Sequence, residues 1–157
     1  MKVLALIPAR LASTRFPNKP LTQILGKSML QHIVERVQLC SEVSEVVVAT
    51  CDQQIIEHIQ GLGYQAVMTS DRHERASDRC AEAVAKLENS KNTKYDIVVM
   101  VQGDEPMTDP RMLLDVLQPF AKSPDLQVVN LYADIAAGEF ASPNCVKVVM
   151  DIAGNAL

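Results

Sequence analysis

The sequence predicts an α/β fold with a mostly parallel central sheet and helices on both faces. Apolar runs of strand length alternate along the 157 residues with segments of helical periodicity. That alternation is typical of parallel sheets, whose strands are joined by covering helices. Six Gly and eight Pro residues and 48% hydrophobic residues indicate a globular chain, not a disordered or fibrous one.

The predicted elements follow one another with short connections. Strands are predicted at 3–8, 45–50, 65–68, 95–101, 126–133 and 146–151, and helices at 29–39, 52–61, 80–87 and 110–121. Asp52 is a candidate N-cap for the second helix, and Pro110 suits the first turn of the fourth. The run at 95–101 is the most apolar, which favours a central strand covered on both faces. A turn at 152–155 leads into the start of another strand, and we expect one domain over residues 1–157.

Charge and cysteine content exclude several classes of protein. The net charge of −4 argues against a duplex nucleic-acid binder. Residues 1–40 nevertheless carry six cations and one acid, a local +5 that leaves −9 for the rest and suggests a small anionic ligand. Four scattered cysteines form neither a disulfide framework nor a zinc motif, so reduced thiols in the cytoplasm are expected. No apolar run is long enough to span a membrane.

The loop after the first strand, residues 8–21, contains Arg10, Arg15 and Lys19 together with two hydroxyl side chains. Ligands of open α/β sheets bind beyond the carboxyl ends of the strands, where this loop must lie. Its cations and hydroxyls are suited to phosphate. The loop has no glycine, so neither a dinucleotide fingerprint nor a Walker loop is present, and an NAD-dependent enzyme is disfavoured. Taken singly, each cation would more often be a solvated surface charge, but three together at a strand end with almost no acid nearby favour the phosphate site.

Two further polar segments are candidates. Asp104 follows the most apolar strand, where its carboxylate could hold Mg²⁺ against phosphate, and Gly103 would let the backbone approach a ligand closely. The same residues could instead form a polar turn before a helix. In residues 73–79, Ser77 or Asp78 could cap the next helix, while Arg79 calls for an external or carboxylate partner. A lone loop histidine such as His73 is expected to be solvated.

Three motifs carry a family resemblance. The stretch IPARLASTRFPNKPL at residues 7–21 closely resembles the opening motif of the 3-deoxy-manno-octulosonate cytidylyltransferases, or CMP-Kdo synthetases. VQGDEP at 101–106 and PNCVKVV at 143–149 follow in the expected order. The resemblance implies a Rossmann-like nucleotidyltransferase fold. It also implies Mg²⁺-dependent transfer of CMP from CTP to the acid sugar Kdo, with release of pyrophosphate, for lipopolysaccharide biosynthesis.

The resemblance also implies roles for individual residues. Arg10, Lys19 and Asp104 would be catalytic, with Asp104 as the metal ligand. The implied CTP-binding residues are Ala9, Arg10, Ser13, Arg15, Lys19, Ser77, Arg79 and Gln102. Of these, Arg79 and Gln102 would lie near the cytosine. Residues 74–77 read Glu-Arg-Ala-Ser where the family usually has a Gln-Ser-Gly-Thr-like run, so recognition of base or sugar is expected to differ in this loop.

Length is the larger departure from the family. Family enzymes continue for about another 90 residues, so the chain is interpreted as lacking the C-terminal third. By resemblance, that part carries much of the sugar pocket, a second metal-binding aspartate and much of the contact of the full-length homodimer. An alternative is therefore a catalytically incomplete fragment that acts as a folding, oligomerisation or partner-binding module.

Overall fold

A computed structural model describes residues 1–12, 16–123 and 125–156. Its elements, in chain order, are β1 (Val3–Ala9), a 3-10 helix (Lys19–Leu21), β2 (Gln23–Ile24), β3 (Lys27–Ser28), α1 (Met29–Gln38), β4 (Glu45–Thr50), α2 (Gln53–Gly61), β5 (Gln65–Met68), α3 (Ala76–Lys91), β6 (Ile97–Met100) and α4 (Pro110–Lys122). The described residues contain no helix both long and apolar enough to cross a membrane.

The principal sheet has the strand order β5-β4-β1-β6, and all of its strands are parallel. In this register Leu6 lies between Val47 of β4 and Met100 of β6. Because the strands are parallel, their carboxyl ends meet at one edge of the sheet, here called the carboxyl edge, and their first residues define the amino edge. Loops from distant parts of the sequence therefore converge at the carboxyl edge.

Helices cover both faces of this sheet, as predicted. Alternate β1 residues point to opposite faces. Ala5 and Ile7 belong to the core cluster formed with α1 and α2. Leu4 and Leu6 belong to a second cluster that includes Ala83 of α3. All seven residues of β1 are buried, which explains why its sequence is apolar throughout instead of alternating.

The prediction that the 95–101 run forms a central strand is wrong. Among the described residues β6 pairs with β1 alone and is an outermost strand of the sheet, while β1 and β4 are the central strands. Val98 and Met100 are 40% and 42% exposed. An apolar run indicates a strand, but the crossover connections, not the run's hydrophobicity, set its place in the sheet.

The chain divides into two compact units, residues 1–114 and 115–157. In the second unit the strands predicted at 126–133 and 146–151 do not form among the described residues; a single antiparallel bridge joins Met150 and Ala156. Val128 and Val146, at 73% and 97% exposure, show why: apolar runs make strands only where a partner strand supplies hydrogen bonds and burial. Division by contacts does not define independently folding domains, so one domain over 1–157 stays a prediction.

Candidate functional site

The candidate residues follow the four strands of the sheet at its carboxyl edge. Arg10 comes directly after β1, and Gln102 and Asp104 come after β6. Thr69 follows β5, and its N–H donates to the carbonyl of Thr50 at the end of β4, 2.8 Å away. Polar residues from the loops after β1, β5 and β6 therefore lie at this edge, all within residues 1–114.

Lys19 and Asp104 meet at this edge although 85 residues separate them in sequence. The Lys19 Nζ atom lies 2.8 Å from Asp104 Oδ2, and the two side chains are 36% and 53% exposed. The 3-10 helix fixes the backbone at Lys19, since Pro20 is buried and Leu21 packs against the core. An ion pair this exposed contributes little stability, so a ligand can replace either partner at small cost.

The loop that carries Asp104 crosses very close to the end of β1. A Cβ atom placed on Gly103 would lie 2.3 Å from the backbone oxygen of Pro8. The packing of this loop against β1 therefore requires glycine at position 103. Its approach to a ligand stays a prediction. The far side of this loop is held by Arg36, whose Nε donates to the Thr108 carbonyl at 2.6 Å.

Arg79 is a buried guanidinium with a donor left over. Arg79 is only 3% exposed. Its Nη1 atom donates to Thr69 Oγ1 at 2.5 Å and to the Ser70 carbonyl at 3.3 Å. Nη2 is buried without a hydrogen-bond partner, and no carboxylate pairs with Arg79 among the described residues. A buried, unsatisfied donor of this kind is costly and is expected to have an acceptor when the site is in use.

Glu82 of α3 holds the loop that leads to Arg79. It accepts from Lys86 Nζ at 2.7 Å and from the Ser70 N–H at 2.9 Å, and it also contacts the His73 ring. These hydrogen bonds, led by that from Lys86, lower the pKa of Glu82 to about 2. The expectation that His73 is solvated is wrong, because the ring is paired with Glu82.

The remaining predicted residues are placed as follows. Ala9 is the buried last residue of β1, whereas Arg10 and Gln102 are exposed at the carboxyl edge. Ser77 is exposed in the first turn of α3 and does not cap it, because the N-cap position is Arg75 and no side chain makes a capping hydrogen bond. Ser13 and Arg15 lie outside the described residues.

A metal at this edge would depend on Asp104. The described residues contain no group of three or more His, Cys, Asp or Glu side chains arranged to hold an ion. Mg²⁺ is commonly held by one or two carboxylates together with substrate phosphates and water. A single half-exposed carboxylate beside cations suited to phosphate fits that mode of binding and does not fit a cage made wholly of protein groups.

Sequence reasoning missed two groups at this edge. Thr69 was not singled out, although it holds Arg79. Asp52 occupies the N-cap position of α2 as predicted, but it makes no capping hydrogen bond and instead accepts from the Leu11 N–H at 2.8 Å. A short polar residue within two positions of the end of a predicted strand was the available signal in both cases.

Comparison with known proteins confirms the resemblance. Residues 4–157 match the family model described as cytidylyltransferase. A 3-deoxy-manno-octulosonate cytidylyltransferase of Geotalea daltonii is 48% identical over the whole chain, and a mitochondrial one of Arabidopsis thaliana is 40% identical over 99% of it. A solved CMP:2-keto-3-deoxy-manno-octonic acid synthetase complexed with CTP covers the whole chain with a TM-score of 0.92 and 41% identity.

These relatives are longer than the chain. The chain spans 60% of the Geotalea daltonii protein, 52% of the Arabidopsis thaliana protein and 63% of the solved synthetase. A cytidylyltransferase from Leptospira borgpetersenii is more distant, at 26% identity and a TM-score of 0.64 over 80% of the chain. With a family model that matches nearly every residue, the chain belongs to the cytidylyltransferase family.

Proposed function

We propose that this chain is the nucleotide-binding part of an enzyme that transfers CMP from CTP to Kdo, releases pyrophosphate and supplies lipopolysaccharide biosynthesis. The observation that carries the proposal is the contact of Lys19 with Asp104 at the carboxyl edge. Relatives that match the whole chain are named for this reaction, and one solved relative is complexed with CTP. The acid sugar is assigned from those names.

In the proposed complex the triphosphate lies against Lys19 and Arg10. The Lys19 ammonium is a compact charge suited to phosphate oxygens, and the exposed Arg10 guanidinium supplies paired donors beside it. With phosphate in place of Asp104 as the partner of Lys19, the Asp104 carboxylate would be free to hold Mg²⁺. When bound, Mg²⁺ would neutralise charge on the phosphates.

Arg79 is proposed to recognise the base. The buried Nη2 donor needs an acceptor, and a cytosine carbonyl oxygen is one. The Thr69 and Ser70 contacts fix the guanidinium so that little rotational freedom is lost when the base binds. Ala9, Ser77 and Gln102 complete the proposed CTP site, to which Ser13 and Arg15 are also assigned.

The chemistry asks the protein for positioning and charge neutralisation. The sugar hydroxyl oxygen attacks the α-phosphorus of CTP and gives up its proton to solvent. The bond from the α-phosphorus to the oxygen bridging to the β-phosphate breaks, and pyrophosphate leaves with that electron pair. Lys19 and Arg10 would stabilise the negative charge that develops on the pyrophosphate. Holding CTP in one orientation accounts for most of the contribution expected of this part of the enzyme.

The proposal includes a cytoplasmic location and a homodimer for the full-length enzyme. Free thiols support the location: Cys40, Cys51, Cys80 and Cys145 are all unpaired. The size of the relatives, which exceed this chain by more than a third of their length, leaves room for dimer contacts beyond it.

Isothermal titration calorimetry with CTP and Mg²⁺ tests the nucleotide site. We expect saturable binding that weakens when Mg²⁺ is omitted or CTP is replaced by UTP. Asp104→Asn should weaken binding by about tenfold, or about 1.4 kcal/mol. Asp96→Asn is a matched control, because Asp96 precedes β6 at the amino edge while Asp104 follows it. Failure of the folded chain to bind CTP at millimolar concentration would contradict the site.

A pyrophosphate-release assay tests the reaction itself. Release should require CTP, Kdo and Mg²⁺ together and should fall in Asp104→Asn but not in Asp96→Asn. Binding of CTP without pyrophosphate release would retain the nucleotide site and contradict transferase activity in this chain.

A further inference from the structure

Asp52 sits where the first loop leaves the sheet. The parallel pairing of β1 with β4 ends at Ala9 and Thr50. Two residues beyond these strand ends, the Leu11 N–H donates to Asp52 Oδ2 at 2.8 Å. A carboxylate here takes the place that a backbone carbonyl would occupy if the ladder continued. Asp52 therefore fixes the point at which the loop turns away from the sheet.

This contact is made in place of a helix cap. An aspartate at an N-cap normally accepts from the N–H groups of the first helical turn, which stabilises a helix by about 1 kcal/mol. The Asp52 side chain makes no such bond to α2, although its backbone carbonyl accepts from Ile55 and Ile56. The carboxylate is bound instead to a residue 41 positions earlier in the chain.

Both backbone polar groups of Leu11 are hydrogen-bonded. The Leu11 carbonyl accepts from the Asn18 N–H at 3.4 Å, and the Leu11 side chain packs against the core. Asn18, in a left-handed conformation with φ 58°, immediately precedes Lys19. Asp52 thus anchors Leu11, Leu11 meets Asn18, and the next residue is the lysine that contacts Asp104.

We propose that Asp52 is a positioning residue that holds the described parts of the cationic loop, residues 8–12 and 16–21, in the geometry that binds the triphosphate. The inference rests on the proposed function, because the loop's ligand is taken to be CTP. Asp52 acts through Leu11 and not by contact with the nucleotide. A negative charge close to a triphosphate would by itself weaken binding, so the useful property of Asp52 is its acceptor oxygen.

The acceptor role leads to a sharp expectation for two variants. Asp52→Asn keeps an acceptor oxygen and removes the charge, so CTP affinity should stay within about twofold of wild type. Asp52→Ala removes the acceptor and should weaken CTP binding by about tenfold, the equivalent of about 1.4 kcal/mol. Glu57→Ala is the matched control, since it removes an exposed carboxylate from the same helix without touching the loop.

The test combines calorimetry with amide hydrogen exchange at Leu11, measured by NMR without nucleotide. Asp52→Ala should expose the Leu11 amide to exchange at least about tenfold faster, while Asp52→Asn and Glu57→Ala should match wild type. The exchange readout does not depend on CTP. Circular dichroism melts identify variants that fail to fold, and if Asp52→Ala does not fold, Asp52→Asn decides the outcome.

The results separate the inference from the proposed function. Wild-type protein that binds no CTP would overturn the proposed function whatever the exchange data show. Wild type that binds CTP, with Asp52→Ala binding equally well, would overturn the positioning role alone. Loss of binding in folded Asp52→Asn, with Leu11 still protected, would contradict the acceptor role by showing that the charge is required.

Discussion

The amino and carboxyl edges of the sheet differ in how many of their polar side chains have partners within the protein. At the amino edge polar side chains find partners within the chain. Lys2 Nζ donates to Thr93 Oγ1 at 2.8 Å and lies 5.0 Å from the centre of the Tyr95 ring. Glu45 accepts from the Tyr95 hydroxyl at 2.6 Å and from Lys91. Partial burial acts to raise the pKa of Glu45, but these hydrogen bonds outweigh it and hold the pKa below its usual value.

At the carboxyl edge several polar groups are exposed or left without a partner. Arg79 Nη2 is buried without a partner among the described residues, and the side chains of Arg10, Ser77 and Gln102 are exposed. Polar groups that are hydrogen-bonded within the protein stabilise the fold. Polar groups without a partner, at the edge where several loops meet, are available to bind a ligand. Removing a paired polar side chain at the amino edge should therefore change stability, and removing an unpaired one at the carboxyl edge should change binding.

The largest effect is expected where the carboxyl edge depends on close packing. Gly103→Ala would force the Asp104 loop away from Pro8, since the new Cβ would lie 2.3 Å from backbone oxygen. We expect CTP affinity to fall by about a hundredfold and the free energy of unfolding by about 1–3 kcal/mol, measured by calorimetry and denaturant melts. Gly61→Ala, at an open position in α2, is the control and should do neither. Unimpaired binding in Gly103→Ala would contradict the described loop packing.

Arg79→Met separates binding from stability. Removing a buried guanidinium with an unpaired donor should leave the melting temperature unchanged or raise it, because its desolvation is no longer required. CTP affinity should drop about 10- to 100-fold, in line with a lost charge-assisted hydrogen bond. A large fall in melting temperature with CTP affinity intact would show that Arg79 is structural.

Tyr95→Phe tests the amino edge in the opposite direction. The variant removes the hydroxyl that donates to Glu45, so the free energy of unfolding should fall by about 1 kcal/mol. Thermal melts should show a loss of about 2–4 °C. CTP affinity measured beside it should equal that of wild type, and weakened binding would break the division between the two edges.

The smallest effect concerns acid stability near Arg79. The pKa of Glu82 is about 2 in the folded chain against an ordinary 4.5, so its stabilising contribution is present above about pH 4.5 and is lost as the pH falls toward 2. Melting temperatures of wild type should therefore fall more steeply between about pH 5 and about pH 2.5 than those of Glu82→Gln. Equal slopes would contradict the hydrogen bonds assigned to Glu82.

The sequence predicted those features of the fold and site that depend on local pattern or on parallel topology. Lys19 and Asp104 could be expected together because both follow strands whose carboxyl ends must share an edge. Their distance depends on Gly103 passing Pro8, a tertiary contact that no local pattern encodes. Helix α3 likewise spans Ala76–Lys91, whereas the sequence predicted only 80–87. Only one face of α3 packs against the sheet, so its polar first and last turns lack the apolar pattern by which a helix is predicted.

Local pattern could not predict the order of the strands, or whether an apolar run would find a partner strand. The 95–101 run is apolar, yet it forms the edge strand β6, because order depends on how helices cross over. The 126–133 run has strand composition but no pairing partner among the described residues. The roles of individual residues in CTP binding stay predictions, since geometry shows convergence and not a bound nucleotide.

The central claim is that the lysine paired with Asp104 binds the triphosphate while a lysine paired at the other edge does not. CTP affinity measured by calorimetry for Lys19→Ala and Lys91→Ala compares two ion-paired lysines of similar exposure, 36% and 37%. We expect Lys19→Ala to bind CTP at least about tenfold more weakly than wild type and Lys91→Ala to bind it equally well. Equal affinity in wild type and Lys19→Ala, or an equal loss in both variants, would contradict the claim.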